Sequence, residues 1–173
     1  MSSLLVEMLK KNAVKLGSFT LASGEKSDFY IDIKKAYTKP EVLMEITREM
    51  ARLIKNEKPD KIAGVAVGAV PLVTALSLES GLPFLIVRKE LKGHGTRNKI
   101  EGELRVGEKV IIVEDVTTTG ESVLKAVEAI RAVNALCDRA MVVVDRNEGA
   151  VEHLACHDIA LLPLTTSREL LVR

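Results

Sequence analysis

Lys109-Val-Ile-Ile-Val-Glu-Asp-Val-Thr-Thr-Thr-Gly-Glu-Ser122 is the stretch on which the reading of the whole chain turns. Its β-branched run over 110–113 predicts a strand buried on both faces, as in a parallel sheet. Glu114 and Asp115 follow where that strand is expected to stop. Thr117, Thr118, Thr119 and Gly120 then supply hydroxyls and unhindered backbone N–H groups, and Val123, Val127 and Ile130 mark one face of a helix over 122–133. A strand, a small polar loop and a helix N-terminus make an anion site, because the first helical N–H groups lack intrahelical partners and the helix dipole favours negative charge. Acids beside such a site accept hydrogen bonds from sugar hydroxyls. The stretch reads as a sugar-phosphate cradle, against the plainer alternative of a βα turn rich in threonine.

Outward from the cradle, four further apolar runs, at 62–67, 84–87, 141–144 and 159–162, have the length and composition of buried strands. A helical pattern over 72–78, stopped near Gly81, separates the first two. The expected fold is therefore α/β, a five-stranded mainly parallel sheet flanked by helices and joined by right-handed crossovers, with ligands at the carboxyl ends of the strands. Before the sheet, Leu5, Met8, Leu9 and Leu16 predict a helix over 4–16, with Ser3 as N-cap and Gly17 as stop. Residues 19–33 suggest a hairpin turning at Ser23-Gly24. Thr38-Lys-Pro-Glu41 has the form of a capping box for a helix over 39–55, carrying Leu43, Ile46, Met50 and Leu53 on one face. We expect one domain over 1–173, with helices and a hood-like hairpin in 1–58 and the parallel core in 59–173.

Composition narrows the function classes. At 173 residues the chain suits one domain with a substantial core, and its 47% hydrophobic and 28% charged residues are ordinary for a globular protein. A net charge of +1 supplies no global field to recruit nucleic acid or a membrane surface. Aromatic residues at 3% argue against a stacking platform for single-stranded nucleic acid. Cys137 and Cys156 are too few for a disulfide scaffold, lack metal-ligand spacing, and are expected in or near the core. Glu7, Lys10 and Lys11 interrupt any signal-like stretch, and no run reaches membrane-spanning length, so a cytoplasmic location is expected.

Residues 89–108 show no strand or helix signal, and a loop that long in a compact domain is commonly functional. Arg88, Lys89, Lys92, His94, Arg97 and Lys99 cluster there, with Gly93, Gly95 and Gly102 between and after them. A solvated basic loop is the plain reading; cations flanking a polyphosphate cradle favour a closing lid.

The order of residues from Glu114 to Ser122 resembles the phosphoribosyl-diphosphate signature of type I phosphoribosyltransferases. Together with residues 19–33 and the run Arg88-Lys-Glu-Leu-Lys92-Gly-His94, it resembles the orotate phosphoribosyltransferase family along essentially the whole chain. The resemblance implies transfer of the 5-phosphoribosyl group from phosphoribosyl diphosphate to orotate in UMP biosynthesis, with Mg²⁺ as cofactor and no direct protein ligand to it. It also implies a homodimer in which the 89–108 lid acts across the interface, without nucleic-acid or membrane partners. Carried onto this chain, Glu114 and Asp115 face the ribose hydroxyls. Thr117, Thr118, Thr119, Gly120 and Glu121 hold the 5′-phosphate through backbone N–H and hydroxyl groups, and Val116 and Ser122 belong with them to the phosphoribosyl diphosphate site. Arg88, Lys89, Lys92 and His94 engage the diphosphate and carry the catalysis, and Thr118 and Arg146 contact orotate. Two lysines common in bacterial members are replaced, by Ala22 and Gly68. The competing readings are a phosphoribosyltransferase for another base and a phosphoribosyl-diphosphate-sensing regulator of the same fold.

Overall fold

The computed structural model describes residues 3–20, 26–88 and 99–172. Its first element is an amphipathic helix, α1 (Ser3–Ala13), with Leu5 and Leu9 fully buried. The helix expected to run to Leu16 ends three residues earlier, because Val14 opens β1 (Val14–Thr20), which pairs antiparallel with β2 (Lys26–Ile31). Leu16, expected on the buried helical face, lies opposite Phe29 on an exposed strand, so cross-strand pairing overrides its helical spacing. The hairpin turn placed at Ser23-Gly24 lies outside the described residues.

Asp32 then caps an unanticipated short helix, α2 (Ile33–Tyr37), by accepting from the Lys35 N–H at 3.0 Å. This helix changes the role of Thr38. Instead of opening the next helix as half of a capping box, its hydroxyl turns back to the Lys35 carbonyl at 2.7 Å. Lys39 is the N-cap of α3 (Pro40–Glu57), and Pro40 occupies its first turn as expected. Val42, Ile46, Met50 and Ile54 form the buried stripe of α3 at three- and four-residue spacing.

From here strands and helices alternate: β3 (Lys61–Val65), α4 (Val70–Ser80), β4 (Phe84–Val87), β5 (Ile100–Glu101), β6 (Lys109–Thr117), α5 (Glu121–Arg131), β7 (Leu136–Asp145), α6 (Ala150–Ala155), β8 (Ala160–Thr166) and α7 (Ser167–Leu171). The sheet has the order β5-β4-β3-β6-β7-β8. The five expected strands are all present and mutually parallel, and β5 adds a two-residue antiparallel edge against β4, inside the segment read as lacking strand. Side-chain alternation splits the core between the two faces. Ile62, Ile111, Val113 and Met141 pack with α1 to α4, while Ala63, Val65, Val110 and Ile112 pack with α5 and with Leu154 of α6. Residues of 1–58 and 59–173 thus share one core layer. Cys137 is in the core as expected; Cys156, at the end of α6, is exposed. No described helix is long and apolar enough to cross a membrane.

Candidate active site

β6 does not stop at its acids. Its pairing with β7 continues to Thr117 opposite Asp145, so Glu114 and Asp115 are held inside the strand's last stretch, only 4% and 8% exposed. The Glu114 carboxylate accepts from the Asp115 N–H at 3.1 Å. Asp115 faces the loop after β3, in which the Ala66–Val67 peptide is cis. A Cβ on Gly68 would lie 2.6 Å from Asp115 Oδ2, so any side chain there would have to push the carboxylate aside. The Tyr37 hydroxyl donates to the Gly68 carbonyl at 2.9 Å and fastens the loop from the other side. Burial, then the charges of Asp115, Glu114 and Asp32, raise the Tyr37 pKa, which keeps its hydroxyl a donor.

The chain next turns through Thr118 and Thr119 to Gly120, the N-cap of α5, whose φ is +83°. A Cβ there would meet Leu154 Cγ at 2.9 Å. No side chain caps α5, so the N–H groups of its first turn are not claimed by a side-chain oxygen. Glu121 turns outward: its exposed side chain pairs with Lys125 at 3.0 Å, and that hydrogen bond lowers its pKa. The Thr119 carbonyl oxygen lies 2.6 Å from Nδ1 of His153.

Arg146 follows β7. Its N–H donates to the Thr117 carbonyl at 3.0 Å, and its own carbonyl accepts from the Ser167 hydroxyl at 2.8 Å. The guanidinium lies over the Phe29 ring, 5.7 Å from its centroid, and pairs with Glu148 at 2.9 Å. Its Nε is the one buried side-chain polar atom among the described residues that has no hydrogen-bond partner. A buried unpaired donor is costly, and Arg146 lines a polar cleft that could receive an acceptor for it.

These elements enclose a cleft of about 250 Å³ at the carboxyl ends of β6 and β7. The fold brings six of the expected site residues to its wall: Glu114, Asp115, Val116, Thr118, Ser122 and Arg146. Thr117 is buried at the strand end and acts through its backbone. Arg88 stands apart, at the end of β4, with its Nε 2.9 Å from Glu101. Lys89, Lys92 and His94 lie outside the described residues. Sequence reasoning missed Tyr30, Asp32 and Lys34, which also line the cleft. Lys34 reaches within 3.9 Å of Asp115. Tyr30 and Asp32 lie in the 19–33 segment that carries the resemblance, and Lys34 lies just after it, but strand alternation says nothing about chemistry and marks none of them as a site residue.

A family model described as the phosphoribosyl transferase domain matches residues 33–162. The chain is 53% identical over 169 residues to the orotate phosphoribosyltransferase of Methanocaldococcus jannaschii, covering 97% of this chain and 96% of that one. Among solved structures, orotate phosphoribosyltransferase from Aeropyrum pernix superposes with a TM-score of 0.83 at 36% identity, covering 96% of each chain. The Mycobacterium tuberculosis enzyme in complex with 5-phospho-α-D-ribosyl 1-diphosphate superposes with a TM-score of 0.82 at 29% identity, covering 98% of each.

Proposed function

The chain belongs to the phosphoribosyltransferase family, and from that premise we propose that it transfers the 5-phosphoribosyl group of phosphoribosyl diphosphate to orotate. The products are orotidine 5′-monophosphate and diphosphate, a step of de novo UMP synthesis, and the relatives' names support this choice. The observation that carries the choice of base is Arg146. A buried, unpartnered Nε beside an anion cradle suits the carboxylate of orotate, a group that uracil, adenine and hypoxanthine lack.

In this reading residues 116–122 hold the 5′-phosphate at the start of α5, and Glu114 and Asp115 accept hydrogen bonds from the ribose hydroxyls. As the bond from C1 to diphosphate breaks, positive charge grows on the ribose and negative charge on the leaving group. The two carboxylates stand beside the first of these charges. The second is met by cations: Arg88, Lys89 and Lys92, with His94 donating a hydrogen bond or a proton to the departing diphosphate. N1 of orotate, aligned by Thr118 and Arg146, attacks from the opposite face. Lys34 brings a cation into the cleft, whereas the sequence has Ala22 and Gly68 at two positions where bacterial members commonly carry lysine. Glu114 and Asp115 offer carboxylate oxygens to the cleft, and among the described residues no three acidic, His or Cys side chains group to hold a metal ion. Mg²⁺, held mainly by the substrate diphosphate and water, supplies charge neutralisation on the leaving group.

The reaction runs in a cytoplasmic homodimer whose 89–108 lids act across the interface. Met44 and Leu78, exposed together on the outer surface of α3 and α4, give an apolar patch suited to a second copy of this chain. Orotate absorbance should fall only when phosphoribosyl diphosphate and Mg²⁺ are both present, and competing bases should not be consumed. Arg146→Ala should raise the KM for orotate roughly ten- to a hundredfold and leave that for phosphoribosyl diphosphate within about twofold. An unchanged orotate KM would remove Arg146 from the base site. Salt-sensitive nucleic-acid binding without orotate turnover would overturn the function itself.

A further inference from the structure

Nothing in the proposed reaction uses α6, yet α6 touches the phosphate loop twice. The His153 Nδ1 atom lies 2.6 Å from the Thr119 carbonyl oxygen. A carbonyl oxygen only accepts, so Nδ1 carries the proton and donates. One residue on, fully buried Leu154 occupies the space beside Gly120 that a Cβ there would need. The far end of α6 is itself tied down. Arg131, in the last turn of α5, donates to the carbonyls of His157 and Asp158 at 3.0 and 3.2 Å and to that of Cys137 at 2.9 Å. The rings of His153 and His157 meet edge to face with centroids 5.5 Å apart. The donor at Nδ1 is thus presented from a braced helix.

The consequence lies in the planarity of the peptide bond. The Thr119 C=O and the Gly120 N–H belong to one trans peptide unit and point in opposite directions. Drawing the carbonyl toward α6 turns the N–H away from it. Gly120 has no side chain, no β-carbon restraint on φ, and a left-handed backbone, so nothing of its own holds that plane. We propose that His153 is a positioning residue for the 5′-phosphate: its hydrogen bond to the Thr119 carbonyl sets the Thr119–Gly120 peptide so that the Gly120 N–H faces the phosphate. This rests on the reading of residues 116–122 as the phosphate cradle.

The test uses the full chain, ribose 5-phosphate as calorimetric probe, and steady-state kinetics. His153→Leu removes the donor and keeps bulk, whereas His153→Asn places an amide N–H where Nδ1 stood. His153→Gln, whose amide reaches instead to the position of Nε2, repeats the loss by another route should the leucine variant be unstable. Leucine and glutamine should weaken ribose 5-phosphate binding and raise the KM for phosphoribosyl diphosphate roughly three- to tenfold. The KM for orotate and kcat should stay at their wild-type values, and asparagine should recover most of the loss. Wild-type behaviour of the leucine and glutamine variants, or failure of asparagine to recover, overturns the role of His153. Ser122→Asp separates this from the premise, since a carboxylate in the first turn of α5 should abolish ribose 5-phosphate binding. Unchanged binding in that variant overturns the cradle itself; its loss beside a normal His153→Leu overturns only the positioning role.

Discussion

The carboxyl ends of β6 and β4, separated in the sheet by β3 alone, are built in opposite ways. At the end of β6, Glu114 and Asp115 are almost wholly buried, Gly68 closes on Asp115 where a Cβ would press on its carboxylate, and Arg146 and α6 hold the following loop by its backbone. At the end of β4, Arg88 is half exposed, and its N–H bonds to the Lys99 carbonyl at 2.8 Å as the chain returns along a two-residue edge strand. A central strand end has neighbours on both sides to fix its side chains. A strand end beside the edge is flanked on one side only by the two-residue β5, and its charge, Arg88, is held by a solvent-exposed ion pair to Glu101 that a ligand can displace. Under the proposed function, the two ends divide the labour: preorganised groups at the centre for the ribose phosphate, and cations following the edge-side strand for the leaving group.

The largest effect is expected on the departing side. Lys92→Ala should lower kcat on the order of a hundred- to a thousandfold, the loss typical of removing one group that stabilises developing negative charge, with little change in the KM for orotate. Reassorting this variant with Asp115→Asn tests the interface as well. If the lid serves the partner's cleft, each mixed dimer holds one intact site, and a random mixture should regain about a quarter of the wild-type rate. No recovery would confine each lid to its own subunit.

A smaller effect is expected at the centre. Gly68→Ala leaves the backbone unstrained, since no left-handed φ is required there, yet its Cβ must displace the Asp115 carboxylate. Misplacing one group by about an ångström should lower kcat/KM roughly ten- to a hundredfold, while the thermal midpoint stays near wild type. Equal kcat/KM in the two proteins would mean that the position of Asp115 is not preorganised, and the contrast between the two strand ends would fail.

The two ends also differ in how much of them the sequence discloses. The run from 110 to 113, the acids and the threonine loop are contiguous, so strand, cradle and helix are legible together. Arg146 is legible only through resemblance, because what makes it distinctive, a buried Nε and a neighbouring Phe29, comes from chain more than a hundred residues away. The short helices α2, α6 and α7 escape detection because five or six residues form a helix only with tertiary support. Asp32 at the head of α2 and the Arg131 bonds beyond α6 supply that support. Thr38 shows the converse: a residue read as half of a capping box for α3 instead caps the C-terminus of α2, which the sequence did not signal.

The smallest effect belongs to the edge itself. Glu101→Gln removes the charge partner of Arg88 without changing shape, and the two side chains are 41% and 40% exposed. An ion pair open to water gains little over its solvated parts, so stability in urea should change by less than about 1 kcal/mol. Arg88 remains cationic in the variant, which separates its charge from its tether. If Glu101 holds Arg88 ready for the diphosphate, the KM for phosphoribosyl diphosphate changes while the unfolding midpoint does not. A loss of several kcal/mol would instead show that β5 is part of the structural core, and that the edge of this sheet is as firmly built as its centre.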